Sequence, residues 1–256
     1  MSNSEKTISH SSQTATPVLE HEHSPEAIRE RLSAGPQHNY LRDWIYGGID
    51  GSVTTFAVVT GVVGAQLSPV VILVLGFANL LADGFSMAAS NYLGTRAEQD
   101  SLKQIEAIEH RHVEADPEGE REEVRQIYSD KGFEGEDLDR VVELITADRQ
   151  RWVRTMLTEE YGLPQEVRPP FLAALSTFSA FIICGLAPLI PFIFSARRAF
   201  LLSMIVTGTV FFLIGSIKSK WSMASWWRSG FETLLVGALA AGLAYAAGIV
   251  LKRIVG

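Results

Sequence analysis

The stretch DGFSMAAS opens with Asp83 and places Met87 one helical turn later, inside a run otherwise free of charge. Asn79, Asp83, Met87 and Ser90 are spaced four, four and three apart, which aligns them on one face of a helix. Asp50, within YGGIDGSV, sits in a second apolar run. Gly47, Gly48 and Gly51 around it permit close approach of another helix. An ionisable side chain at the centre of a bilayer costs about 2.5–3.5 kcal/mol on insertion scales and ordinarily lines a pathway. The blander alternative has Asp50 simply hydrogen-bonding a neighbouring helix. A stripe of carboxylates, an amide and a thioether has the chemistry to pass a cation.

A second set of donors lies downstream in charged sequence. Glu106, Glu109 and His112 are spaced three apart, Glu120 and Glu123 repeat that spacing, and Met156 and Glu160 are four apart. Three helices could each turn ligands to a common centre. Carboxylates with a histidine and a methionine suit a first-row divalent ion such as Fe²⁺ or Mn²⁺ better than Ca²⁺, which prefers oxygen alone. Acidic residues on a solvated helix are ordinary, so no single pair among these is diagnostic.

The elements that must hold these residues follow from how polarity is distributed. The chain has 256 residues, 47% of them hydrophobic, and a mean hydropathy of only +0.14. That mean hides an alternation of two polar and two apolar blocks. Five apolar stretches are long enough to cross a bilayer core of about 30 Å: about 44–66, 69–93, 171–194, 199–217 and 231–251. The segments divide into a partly disordered tail (1–43), spans one and two (44–93), an acidic insert (94–168) and spans three to five (169–256). The first 40 residues contain no apolar core of a signal peptide. Cys184 is the only cysteine, which excludes an internal disulfide.

The expected fold is all-α: a polytopic membrane protein with five transmembrane helices and a cytoplasmic three-helix insert between helices two and three. Ser24 and Pro25 suit the start of a short helix in the tail, which Gly35-Pro36 would end. The second span carries no breaker at its inner end, so it is expected to run on as a helix to Asp116-Pro117. Further helices are expected over about 118–131 and 135–161, and Pro188 and Pro191 should kink span three. With the N-terminus cytoplasmic, 18 Lys and Arg lie inside and four outside, although Arg197 and Arg198 fall in an outer turn. The insert holds 20 acidic and 11 basic residues, a net of −9 against −7 for the whole chain. That balance excludes nucleic acid as a natural partner and favours cations.

Together, DWIYGGIDGSVTTFAVVTGVVGA, SMAASNYLGTRAEQD and GLAPLIPF resemble the vacuolar iron transporter family, whose members also occur in bacteria. The similarity covers about residues 40–251, with an acidic helical insert after the second of five spans. It implies export of Fe²⁺, and often Mn²⁺, from the cytoplasm in exchange for protons. It also implies a homodimer with the metal path between the protomers' first spans, and for a bacterial member the inner membrane. Asp50 and Met87 match the family's path residues. Glu109, His112, Glu120, Glu123, Met156 and Glu160 match its insert ligands. Plant members have glutamates at His112, near Asn79 and near Leu157. The first change keeps a ligand and removes a charge. Asp83 can offset the second, and the third leaves Met156 without an acidic neighbour.

Rival readings are weaker. Glu109-x-x-His112 fits a di-iron carboxylate enzyme, but its only repeat, Glu20-x-x-His23, falls in the polar tail. No catalytic residue is therefore assigned, and His10, His21 and His23 read as solvated chain. A membrane-anchored metal sensor has no need of acids in the spans. A transporter of another divalent cation is the remaining alternative.

Overall fold

The computed structural model describes residues 22–33, 39–164, 167–221 and 223–255. The residues before Glu22, including His10 and His21, and the expected Gly35-Pro36 stop lie outside the described residues. In the N-terminal unit, α1 spans Pro25–Ser33. Its cap is the expected one, with Ser24 Oγ accepting from the Ala27 amide at 3.3 Å.

The second unit begins at Asn39 and is helical throughout its regular elements. The order is α2 (Leu41–Gly64), α3 (Pro69–Ala115), α4 (Pro117–Asp130), α5 (Gly135–Thr146), α6 (Arg149–Glu159), α7 (Pro170–Leu186), α8 (Ile190–Ile193), α9 (Ala199–Lys218) and α10 (Trp226–Val255). Among the described residues, α2, α3, α9 and α10 are long and apolar enough to cross a membrane. The fifth expected stretch, 171–194, is divided. Helix α7 has 17 residues and so reaches only about 26 Å. A turn then separates it from the single turn of α8, where Pro188 and Pro191 remove amide donors. The Pro188 carbonyl accepts instead from Ser203 Oγ of α9 at 2.7 Å, in a buried position.

Helix α3 runs unbroken for 47 residues, from the turn after α2 through the apolar region and on to the acidic insert. The insert departs from expectation in one respect. The helix expected over 135–161 is two helices, parted at Ala147–Asp148. Asp148 restarts the chain by accepting from the Arg151 amide at 2.7 Å. That bond satisfies a free amide at the new N-terminus, which outweighs continuing one helix.

The membrane region and the insert each have a core. In the membrane region, Phe56, Val59, Val62, Ile72, Leu80, Phe181, Leu189, Phe192 and Ala241 form one cluster. In the insert, Val113, Val124, Val142, Ile145, Trp152, Val153 and Met156 form another. Helices α2 and α7 meet backbone to backbone. A Cβ on Gly47 would lie 2.3 Å from the Thr177 carbonyl oxygen, and one on Gly51 would lie 2.4 Å from that of Phe181. That contact holds the backbone of Asp50, between Gly48 and Gly51, against α7.

Candidate metal centre and membrane acids

The insert site is built where the end of α3 meets α4 and α6. Proline at the start of α4 and Asp116 before it, accepting from the Gly119 amide at 3.1 Å, turn the chain sharply back. The turn brings Glu120 beside the last two turns of α3. One ligand atom from each of Glu109, His112 and Glu120 falls within 4.8 Å of the others. His112 Nδ1 lies 3.3 Å from Glu120 Oε1 and 3.8 Å from Glu109 Oε1. Glu109 is completely buried and Glu120 is 5% exposed. Oε2 of each carboxylate is buried with no hydrogen-bond partner among the described residues. A buried charged oxygen without a partner is costly unless a cation or proton answers it. Two carboxylates and an imidazole suit a first-row divalent ion.

The surrounding acids raise the electrostatic demand. Burial comes first, and repulsion by Glu123 and Glu109 second, in pushing the Glu120 carboxyl up to about 7; His112 opposes the shift and Glu160 adds to it. Glu160 is also raised, by burial and then by Glu109 and Glu123. Glu123 and Glu160 thus act on the same centre from α4 and the end of α6, both on exposed positions. Met156 is fully buried one turn before Glu160, within the insert's apolar cluster.

Glu106 is placed elsewhere. It lines a groove of about 230 Å³ with His110, Gln150, Arg154 and Thr158. Three residues advance a helix by 300°, so each step of three drifts about 60° and Glu106 ends about 120° from His112. A stripe spaced by three therefore does not stay on one face. Tyr161 is a member that spacing did not reveal. Its hydroxyl donates to Glu109 Oε1 at 2.9 Å. Burial, then the hydrogen bond and charge of Glu109, raise its pKa above the ordinary tyrosine value. The sequence signal for it was only adjacency to Glu160.

In the membrane region, Asp50 on α2 lies within electrostatic reach of Asp83 on α3. Asn79 donates to Thr54 Oγ1 at 3.3 Å, and Thr54 donates to the Asp50 carbonyl at 2.9 Å. Met87 is half-buried against the apolar cluster. Asp83 and Ser90 are exposed on the surface of the single chain. Asn79 and Asp83 therefore lie on the edge of α3 that borders α2.

A polar network at the insert-facing end of the apolar region was also not foreseen. Asp43 is 4% exposed. Its Oδ2 accepts from Arg168 Nη1 at 2.6 Å and its Oδ1 from Asn91 Nδ2 at 3.1 Å. Asn91 also reaches Thr177 Oγ1 at 2.7 Å, and Gln99 donates to the Arg168 carbonyl at 3.2 Å. The network joins α2, α3, α7 and the strand of chain returning from the insert.

Comparison with known proteins follows this layout. The profile of the VIT family matches residues 41–249, nearly all of the second unit. A vacuolar iron transporter of Toxoplasma gondii is 34% identical over 230 residues, covering 85% of this chain and 76% of the relative. Vacuolar iron transporter 1 of Arabidopsis thaliana is 31% identical, covering 80% of this chain and 83% of the relative. A vacuolar iron transporter of Plasmodium falciparum is 28% identical, covering 86% of each. The chain is a membrane protein with several apolar helices, and across that shared length it belongs to the VIT family.

Proposed function

We propose that this chain carries Fe²⁺, and Mn²⁺ beside it, out of the cytoplasm across a membrane in exchange for protons. The observation that carries the reading is one helix, α3, bearing two cation-directed clusters. At one end are the buried, partnerless oxygens of the Glu109–His112–Glu120 centre. In the apolar region are Asp83 and Met87, beside Asp50 of α2. A sensor has use for the first cluster and none for the second. The vacuolar iron transporters among the relatives supply the identity of the ion.

In this reading the insert is cytoplasmic and gathers the ion by charge and ligation, using Glu109, His112, Glu120, Glu123, Met156 and Glu160. The ion then reaches Met87 and Asp50, where thioether and carboxylate replace water. Protons moving the other way compete for the Asp50 carboxylate and release the ion. α7, the turn and α8 together make the fifth crossing, which puts the termini on opposite sides, and the Lys and Arg bias puts the N-terminus on the cytoplasmic side of a bacterial inner membrane. Two copies pair with the path between them. An exposed carboxylate such as Asp83 is costly against lipid and is accommodated when a second protomer covers it.

The test is Fe²⁺ uptake into proteoliposomes with an acidic lumen, for the natural chain and for Asp50→Ala. Gradient-driven uptake that disappears in the variant is the expected result. Full transport by Asp50→Ala overturns the path. Absence of both Fe²⁺ and Mn²⁺ flux in the natural chain points instead to a sensor or another cation.

A further inference from the structure

The inference rests on the metal-binding reading of the insert. The two oxygens of Glu109 have unlike surroundings. Oε1 accepts the Tyr161 hydroxyl at 2.9 Å, whereas Oε2 is buried with no partner. Tyr161 lies two residues beyond the end of α6, within hydrogen-bonding reach of Glu160 as well. It therefore ties the acid of α3 to the end of α6, across 52 residues of sequence. Hydrogen bonds to a carboxylate are among the stronger ones, and this one fixes how Glu109 is turned.

How a carboxylate is turned affects which ion it accepts. Ca²⁺ takes six to eight oxygens and readily uses both oxygens of one carboxylate. First-row ions take fewer ligands and accept imidazole beside single oxygens. We propose that Tyr161 is a positioning residue that restrains Glu109 to ligation through one oxygen, and so biases the insert centre toward first-row divalent ions and against Ca²⁺. For Glu109 to offer both oxygens to one cation, Oε1 must turn toward the ion and share its lone pairs between the ion and the Tyr161 hydroxyl, which weakens that hydrogen bond. Where that hydroxyl is missing, the carboxylate is free to turn, and Ca²⁺ gains more than Mn²⁺ does. His112, 3.8 Å from the same Oε1, adds a nitrogen donor that Ca²⁺ does not favour.

The experiment uses the purified full-length chain, with Mn²⁺ binding read by electron paramagnetic resonance and Ca²⁺ added as competitor. Tyr161→Phe keeps the ring, which is partly exposed, and removes only the hydroxyl. The expected result is a fall of roughly tenfold in the Mn²⁺-over-Ca²⁺ preference, the scale of one lost hydrogen bond to a charged group. If Tyr161 acts through Glu109, Tyr161→Phe changes nothing further in a Glu109→Gln background. The infrared separation of the carboxylate stretches should also shift toward two-oxygen ligation in Ca²⁺-loaded Tyr161→Phe. An unchanged preference in Tyr161→Phe overturns the inference and leaves the metal centre standing. No Mn²⁺ binding by the natural chain, or equal binding after Glu109→Gln with Glu120→Gln, overturns both.

Discussion

At the scale of residues, the insert is a place where charge is held out of water for a purpose. Glu120 shows its sign most clearly. Its folded value of about 7 stands above the ordinary 4.5. Between those values the folded, metal-free insert keeps a proton that the unfolded chain has released. The resulting stabilisation is complete below about 4.5 and is lost as pH rises through about 7. Metal binding runs the opposite way, because ligation needs the carboxylate. Mn²⁺ affinity should therefore fall below pH 7, by up to roughly tenfold per unit. The metal-free protein should melt at a lower temperature at pH 8 than at pH 5. Glu120→Gln should flatten both trends, and an affinity independent of pH from 5 to 8 would contradict the assignment. Much of this centre was readable in advance, since Glu109, His112, Glu120 and Glu160 announce themselves by type and helical spacing. Tyr161 did not, because its partner lies 52 positions away and only the folded insert joins them. Glu106 lines a separate groove, because spacing by three drifts around a helix.

At the scale of elements, a partly buried ion pair adds to the continuous α3 in joining the insert to the membrane region. Asp43 begins α2, Arg168 precedes α7, and Asn91 lies midway along α3. Arg168→Ala leaves the Asp43 carboxylate buried with Asn91 as its remaining side-chain donor. Removing one partner of a buried pair costs on the order of 3 kcal/mol. The variant should unfold at a lower temperature in detergent, and Arg168→Lys should recover part of the loss. Equal melting of Arg168→Ala and the natural chain would show that the ion pair adds nothing to this junction. Element boundaries were legible where a strong local signal exists: Pro25, Pro69 and Pro117 each open a helix. The break at Ala147–Asp148 was missed because no glycine or proline marks it. Only the Asp148 cap, a common surface residue before a helical pattern, distinguishes it. The division of 171–194 is a stronger form of the kink that its two prolines foretold.

At the scale of the whole molecule, the alternation of apolar and charged blocks carried the architecture, because burial in lipid and burial in a soluble core demand different compositions. What hydropathy cannot convey is which surface of a span meets protein. In the proposed dimer, the face that carries exposed Asp83 beside Leu81 and Phe85 is the one the second protomer covers. Asp83→Cys in a Cys184→Ser background should yield a disulfide-linked pair of chains on mild oxidation in native membranes. Single chains throughout, with the cysteine still open to a thiol reagent, would place the interface elsewhere.

The unbroken α3 also acts as a ruler. Met87 and Glu109 lie 22 positions apart on it, which a straight helix separates by about 33 Å. No side chain spans that distance, so an ion cannot be handed directly from one cluster to the other. In the proposed transport, the ion would leave the insert, regain its water and travel to the mouth of the span as a free solute, so that storage and passage become separate events.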